Sequence, residues 1–270
     1  MFIRIGYDII FDFAAPTPMV LLLSTRPEEA PRLLRPDEVH TEPALPITEF
    51  TDNFGNRCHR LVAPRGRLRL FNDSLVTDSG LPDVMATDAP QHPIEDLPDD
   101  CMQFLLGSRY CEVAELLPVA WELFGHTPPG AERVQAVCDW VFSNIEFGYK
   151  YARPTKTALD VFHERRGVCR DFTHLAVTFC RCLNIPTRYC NGYMGDIGVP
   201  PDPNPMDFNA WMECYLGGEW RMYDPRNNKP RIGRIVLARG RDAVDVAMTT
   251  AFGANTLAQF TVITEEVDGA

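Results

Sequence analysis

The segment 167–174, Gly-Val-Cys-Arg-Asp-Phe-Thr-His, contains the residue best suited to covalent chemistry, Cys169. Apolar residues recur every three or four positions after it, which predicts an amphipathic helix that ends at 184–186, Asn-Ile-Pro. Cys169 is therefore predicted in the first turn, where unpaired amide hydrogens and the helix dipole favour a thiolate. It is a candidate nucleophile, and the alternative is a small buried apolar residue.

A second candidate group follows some forty residues later, around Asn209 and Asp224. Gly217-Gly218 lies between two alternating runs and predicts a two-residue hairpin turn, which makes Trp211 face Asp224. Asn209 and Asp224 are then diagonal neighbours on one face, roughly 7–8 Å apart at the backbone. A base and the residue that orients it would occupy such positions, opposite a nucleophile at a helix start. An ordinary exit turn at Asp224 and a core role for Trp211 are the alternatives.

The first third of the chain is predicted to form short strands joined by turns, a pattern typical of a β-sandwich-like domain. The predicted strands are 2–13, 19–24, 58–63 and 67–71. Residues 86–100 are rich in proline and acidic residues and predict a domain boundary. We therefore expect a β-rich N-terminal domain over 1–95 and a second domain over 96–270.

The second domain is predicted to be α+β, with helices followed by an antiparallel sheet. The predicted helices are 112–124, 158–164 and 169–183, and a further one for which 127–130 supply the cap and first turn and which continues through Ile145. The predicted strands are 188–194, 208–216, 219–224, 232–238 and 260–267. The proline-rich loop 195–205 is expected to form the rim of a cleft.

Composition narrows the functional classes. The formal net charge of -11 argues against nucleic acid and anionic membranes as partners. The longest apolar run, 19–23, is too short to span a bilayer, and we find no secretory signal. Nine cysteines without a framework spacing predict reduced thiols and a cytoplasmic protein. Cys180-Arg181-Cys182 and Cys58-His59 lack partners at zinc spacing, so neither a metal nor another cofactor is predicted.

With these motifs in order, the chain resembles the transglutaminase-like superfamily, and within it the bacterial transglutaminase-like cysteine peptidases. The matching segments are 166–175, 185–193, 209–213 and 220–225, and the strands around 52–56 resemble the β-domain that often precedes this core. The resemblance implies a papain-like core with a Cys-His-Asp triad, in which cysteine attacks an amide carbonyl and the acyl group passes to water or an amine. By position, Cys169 is the nucleophile and Asp224 is the orienting acid.

The position of the base departs from the family pattern, because Asn209 stands where the family usually has histidine. An amide does not accept a proton at neutral pH, and general-base help is typically worth about 10²–10⁴ in rate. His174 is predicted to point away from Cys169, whereas His163, before the break at Gly167, could fold back toward it. The other four histidines lie outside the core motifs, although one on the N-terminal domain could reach the cleft. The sequence therefore does not identify the residue that acts as general base.

The sequence is consistent with two alternative functions. The first is a cysteine-dependent acyl-transfer enzyme, a peptidase or amidase rather than a cross-linking enzyme, with a peptide or protein amide as substrate. The second is a pseudoenzyme whose cleft binds a peptide or protein partner, because Asn209 is not a base. The oligomeric state is not predicted.

Overall fold

The computed structural model describes residues 1–85 and 87–268. Ala86, the first residue of the predicted boundary segment, and residues 269–270 lie outside them. The strands are β1 (Phe2–Phe13), β2 (Thr17–Leu21), β3 (His40–Glu42), β4 (Thr48–Thr51), β5 (Arg57–Ala63), β6 (Gly66–Thr77), β7 (Glu146–Phe147), β8 (Arg166–Gly167), β9 (Thr187–Tyr193), β10 (Asn209–Leu216), β11 (Glu219–Tyr223), β12 (Ile235–Gly240), β13 (Thr249–Ala251) and β14 (Asn255–Val267). The helices are α1 (Val113–Phe124), α2 (Ala131–Asn144), α3 (Ala158–Glu164) and α4 (Cys169–Cys182). The fold class is α+β, as predicted.

Two four-stranded sheets enclose the N-terminal core, in the orders β14-β1-β6-β3 and β13-β2-β5-β4. In β1 the alternation of the sequence becomes an alternation of burial, since Ile3, Ile5 and Ile9 are completely buried. Between them, Asp8 projects outward and accepts two hydrogen bonds from Arg69 on β6. The predicted β-rich N-terminal region is therefore present.

The C-terminal strands belong to these N-terminal sheets. β14 pairs antiparallel with β1, from Phe2 opposite Val267 to Phe13 opposite Asn255, and β13 pairs with β2. The prediction that 260–267 adds a strand to the second domain is wrong. Alternation shows that a strand has one buried face but not which strand it pairs with, and β1 offers a long edge that needs a partner. The bounds 1–95 and 96–270 stay a prediction.

The second domain is built on the antiparallel sheet β11-β10-β9-β12. The predicted hairpin register is confirmed, with Leu216 opposite Glu219 and Met212 opposite Tyr223. Gly217 and Gly218 have φ angles of +62° and +85°, the left-handed region that a two-residue turn of this kind requires. Asn209 is the first residue of β10, at the end of the hairpin opposite the turn.

Helix α4 is the buried centre of this domain, packed against the other helices and the sheet. It begins at Cys169, as predicted, and the carboxylate of Asp171 accepts a hydrogen bond from the backbone of Val168 at 3.0 Å. That bond satisfies an amide at the helix start that has no partner within the helix. The chain leaves the helix at Asn184, which is left-handed with φ of 62°, just before Pro186.

Gly192 on β9 lies opposite Asn209 in the sheet. A Cβ atom at position 192 would stand 2.0 Å from the carbonyl oxygen of Ile235 and 2.8 Å from Cη2 of Trp211. The absence of a side chain therefore lets β12 and the Trp211 ring pack closely behind the start of β10. None of the helices in 1–85 and 87–268 has the length and apolar content needed to cross a membrane.

Candidate active site

Cys169 is the one cysteine of the nine that is partly exposed, and the other eight are buried. It occupies the first position of α4. Burial, and next the carboxylate of Asp207, raise its pKa to about 12, while backbone hydrogen bonds from Ala210 and Arg170 oppose the rise. The backbone amide of Arg170 in the first turn favours the thiolate, as the helix start predicts. The dipole acts on Sγ, but desolvation and a neighbouring negative charge outweigh it.

Two cavities meet at Cys169. Cys169 lines both a groove of about 840 Å³ and a side pocket of about 80 Å³. Five residues line both cavities: Tyr149, Cys169, Asp207, Phe208 and Asn209. We call this set the junction. The predicted rim loop contributes Asp196, Asp202 and Pro205 to the side pocket.

Asn209 lies at the junction with Cys169, so the structure brings these two predicted site residues together. Its side-chain amide donates hydrogen bonds to the carbonyl oxygens of Met194, at 3.2 Å, and Asp207, at 3.3 Å. These bonds hold the side chain toward the loop that precedes β10. Among the hydrogen bonds of the described residues, none joins Asn209 to Asp224.

Asp224 is 5% exposed and lines neither cavity. Its Oδ1 accepts hydrogen bonds from the backbone of Arg226 and Asn227, at 3.1 and 2.9 Å. Its Oδ2 accepts from Nδ2 of Asn227 at 3.0 Å and from Arg234 at 2.9 Å. Arg234 also lies over the ring of Trp211, 4.7 Å from its centroid, and that ring is fully buried. All the lone pairs of Asp224 are thus engaged in the exit turn and an ion pair, and its role as an orienting acid stays a prediction.

All six histidines lie within the described residues, and none of them lines either cavity. His174 is buried, and its Nε2 accepts a hydrogen bond from the backbone of Ala243. Its ring lies 5.0 Å from those of Tyr110 and Tyr189, which line the groove, so it packs α4 against the groove wall. Burial lowers the pKa of His174 well below its usual value.

Asp207 and Tyr149 are junction residues that sequence reasoning missed. Burial raises the pKa of the Asp207 carboxyl, and burial together with the charges of Asp207 and Cys169 raises the pKa of Tyr149 to about 12. The available signal for Asp207 was its closeness in sequence to Asn209, although it lies in the loop that precedes β10. Within residues 1–85 and 87–268, we find no cluster of three or more His, Cys, Asp or Glu residues that could hold a metal ion.

A structural relative decides the family. The crystal structure of a Cytophaga hutchinsonii protein, described as a "putative cysteine protease", is 30% identical and superposes with a TM-score of 0.86 over 100% of this chain and 92% of that one. The chain belongs to the transglutaminase-like superfamily. The superfamily model itself matches residues 119–225, which include Cys169, Asn209 and Asp224. Among curated relatives of this superfamily member, ML0607, an uncharacterized protein of Mycobacterium leprae, is 27% identical over 78% of this chain and 77% of its own length.

The raised pKa makes alkylation of Cys169 slow near neutral pH. Relative to a free thiol of pKa about 8.5, a thiol of pKa about 12 has a thiolate fraction roughly 10³-fold lower, partly offset by its greater intrinsic nucleophilicity. We expect iodoacetamide to modify Cys169 about 10²-fold more slowly than glutathione at neutral pH. The rate should keep rising with pH well beyond the range in which glutathione levels off. Peptide mass spectrometry across a pH series measures the alkylation rate of Cys169. A rate that levels off below about pH 8 would contradict the raised pKa of this thiol.

Proposed function

We propose that this superfamily member is a cysteine-dependent acyl-transfer enzyme, a peptidase or amidase, with Cys169 as the nucleophile. The observation that carries the proposal is the position of Cys169, which is the one partly exposed cysteine and stands at the junction of the two cavities. A nucleophile that attacks an amide must reach its carbonyl carbon, and the eight buried cysteines do not meet that requirement.

The groove has the size and lining that an extended acyl donor requires. Its volume of about 840 Å³ is within the range of ligand-binding sites, roughly 300–1,000 Å³. Tyr110, Tyr189, Val246 and Met248 supply aromatic and apolar walls, and Arg109 supplies a positive charge. We infer that the groove binds a peptide or protein segment and that the side pocket receives a small polar group next to Sγ.

The chemistry begins with attack of Sγ of Cys169 on the amide carbonyl, expulsion of the amine and formation of a thioester, which water then hydrolyses. The description of the Cytophaga relative as a "putative cysteine protease" supports hydrolysis over cross-linking. The cysteines are all free, which supports a reducing compartment such as the cytoplasm.

A second candidate function is a pseudoenzyme that binds a peptide or protein partner in the same cleft. Three observations favour it: no histidine lines either cavity, Asp224 has its lone pairs engaged by neighbouring residues, and the pKa of Cys169 is raised. These observations concern proton transfer and not the accessibility of Cys169, so we rank this candidate second.

The test uses p-nitrophenyl acetate, an activated ester that acylates nucleophiles without a specific recognition sequence. We expect the protein to release p-nitrophenolate in a burst near neutral pH, and peptide mass spectrometry to locate the acetyl group on Cys169. Acetyl groups spread over surface lysines, with Cys169 unmodified, would reject the proposal and leave the pseudoenzyme. A panel of peptide amides then identifies the natural class of acyl donor.

A further inference from the structure

We propose that the carboxylate of Asp207 is the proton acceptor for Cys169, in place of the histidine that position 209 lacks. This inference rests on the proposed acyl-transfer function. It assigns a catalytic role to a residue outside the Cys-His-Asp pattern, and it explains how a member of the superfamily with Asn209 acts on an amide.

The position of Asp207 distinguishes it from the other carboxylates near Cys169. Asp207 is the one carboxylate among the described residues that lines both the groove and the side pocket at Cys169. Asp196 and Asp202 line only the side pocket, and Asp224 lines neither. The Asp207 charge also acts directly on the thiol, since it is the largest cause after burial of the raised pKa of Cys169.

Local structure holds this carboxylate in place. Oδ1 of Asp207 accepts a hydrogen bond from the backbone of Phe208 at 2.7 Å, and the carbonyl oxygen of Asp207 accepts one from the side chain of Asn209. One carboxylate oxygen is therefore fixed, and no hydrogen bond to the other, Oδ2, is found among the described residues. Asn209 thus positions the loop that carries Asp207.

The charges around Asp207 suit a base. Among the salt bridges of the described residues, none involves Asp207, whereas Asp196 lies 3.6 Å from Arg231. Tyr149 faces Asp207 as a neutral phenol, because its pKa is raised to about 12. Arg226 and Arg231 line the side pocket, and Arg170 lines the groove. Burial raises the pKa of Asp207, and a stronger base is a better proton acceptor near neutral pH.

Asp207 carries one proton through both halves of the reaction. As Sγ bonds to the carbonyl carbon, its proton passes to Asp207, which removes the repulsion between a thiolate and a carboxylate, and the C=O electron pair moves to oxygen. Asp207 then donates that proton to the amide nitrogen as the C–N bond breaks, which releases the amine and leaves a thioester. Water attacks the thioester and gives a proton to Asp207. The C–S bond then breaks, the carboxylic acid leaves, and Asp207 returns the proton to Sγ.

Asp207→Asn separates this role from a merely electrostatic one, because the two predict opposite results for acylation. Loss of the negative charge lowers the pKa of Cys169, so we expect iodoacetamide alkylation near neutral pH to become about tenfold faster. Loss of the base should slow acetylation of Cys169 by p-nitrophenyl acetate by about 10²-fold. The acetylation rate of the unchanged protein should level off once the carboxyl is ionised, while its alkylation rate continues to rise.

Three controls accompany Asp207→Asn: circular dichroism, Asp99→Asn and Cys169→Ser. Asparagine retains an oxygen that accepts from Phe208, and circular dichroism verifies the fold. Asp99→Asn, on an exposed carboxylate outside both cavities, matches the change in net charge and should leave both rates unchanged. Acetylation that stays equal or rises in Asp207→Asn, while Cys169→Ser abolishes it, would overturn the Asp207 assignment alone. Absence of acetylation on Cys169 in the unchanged protein would overturn the proposed function and this inference with it.

Discussion

Cys169→Ser is expected to abolish acyl transfer, with a loss of roughly 10³-fold or more in the rate of ester and amide turnover. Serine has nearly the shape of cysteine, but its hydroxyl is a far weaker nucleophile when no histidine is present to take its proton. The carboxylate at the junction, Asp207, is a weak base for a hydroxyl group. Position 169 is partly exposed, so the fold should tolerate the change. Burst kinetics with p-nitrophenyl acetate and single-turnover assays on peptide amides measure the loss.

A matched control exists on the same helix. Cys182 is at the last position of α4, is buried, and its Sγ lies 3.3 Å from the carbonyl oxygen of Val113. A serine hydroxyl can donate to the same oxygen, so Cys182→Ser should keep both the fold and the activity. If turnover survived in Cys169→Ser as well, acyl transfer through Cys169 would be excluded.

Asn209→His is expected to raise acyl transfer by about 10²-fold, within the usual range of about 10²–10⁴ for general-base help. The side chain at 209 lines both cavities with Cys169, so an imidazole there would face the thiol. We expect the low end of the range because Asp224 already accepts four hydrogen bonds and has no free lone pair to orient the ring. The gain requires a neutral imidazole and should therefore appear as pH rises through about 6.5.

A second variant tests the reason for the limited gain. Adding Asn227→Ala removes the amide that occupies Oδ2 of Asp224 and should increase the gain of Asn209→His further. Asn209→Gln keeps an amide and adds no base, so it should give no gain. A well-folded Asn209→His variant with the rate of the unchanged protein would argue against imidazole access to Cys169 from position 209.

Local patterns in the sequence were enough to predict helix α4 and the hairpin of the second domain. The start of α4 at Cys169 could be predicted because its signals, the three- and four-residue periodicity and the preceding Gly167, are local in sequence. The hairpin register could be predicted from Gly217-Gly218 for the same reason. The superfamily was also readable, since its motifs occur in order along the chain. These features depend on neighbours in sequence, which a single sequence contains.

Only the tertiary structure decided the electrostatics of the site and the pairing of the chain ends. The sequence placed Asp224 near a base, but the positions of Arg234 and Asn227, ten and three residues later, determine that its oxygens are occupied. A helix start alone favours a thiolate at Cys169, and the burial and the Asp207 carboxylate that raise its pKa arise from packing against another part of the chain.

Strand β14 shows the same limit on a larger scale. Its alternation predicts a half-buried strand, yet its partner is β1, at the opposite end of the chain. Periodicity reports which face of an element is apolar, whereas the free energy of burial and hydrogen bonding over the whole fold selects what covers that face. The sequence by itself therefore determined the four helices, the longer strands, the superfamily and the candidate nucleophile. The tertiary structure decided which groups surround that nucleophile.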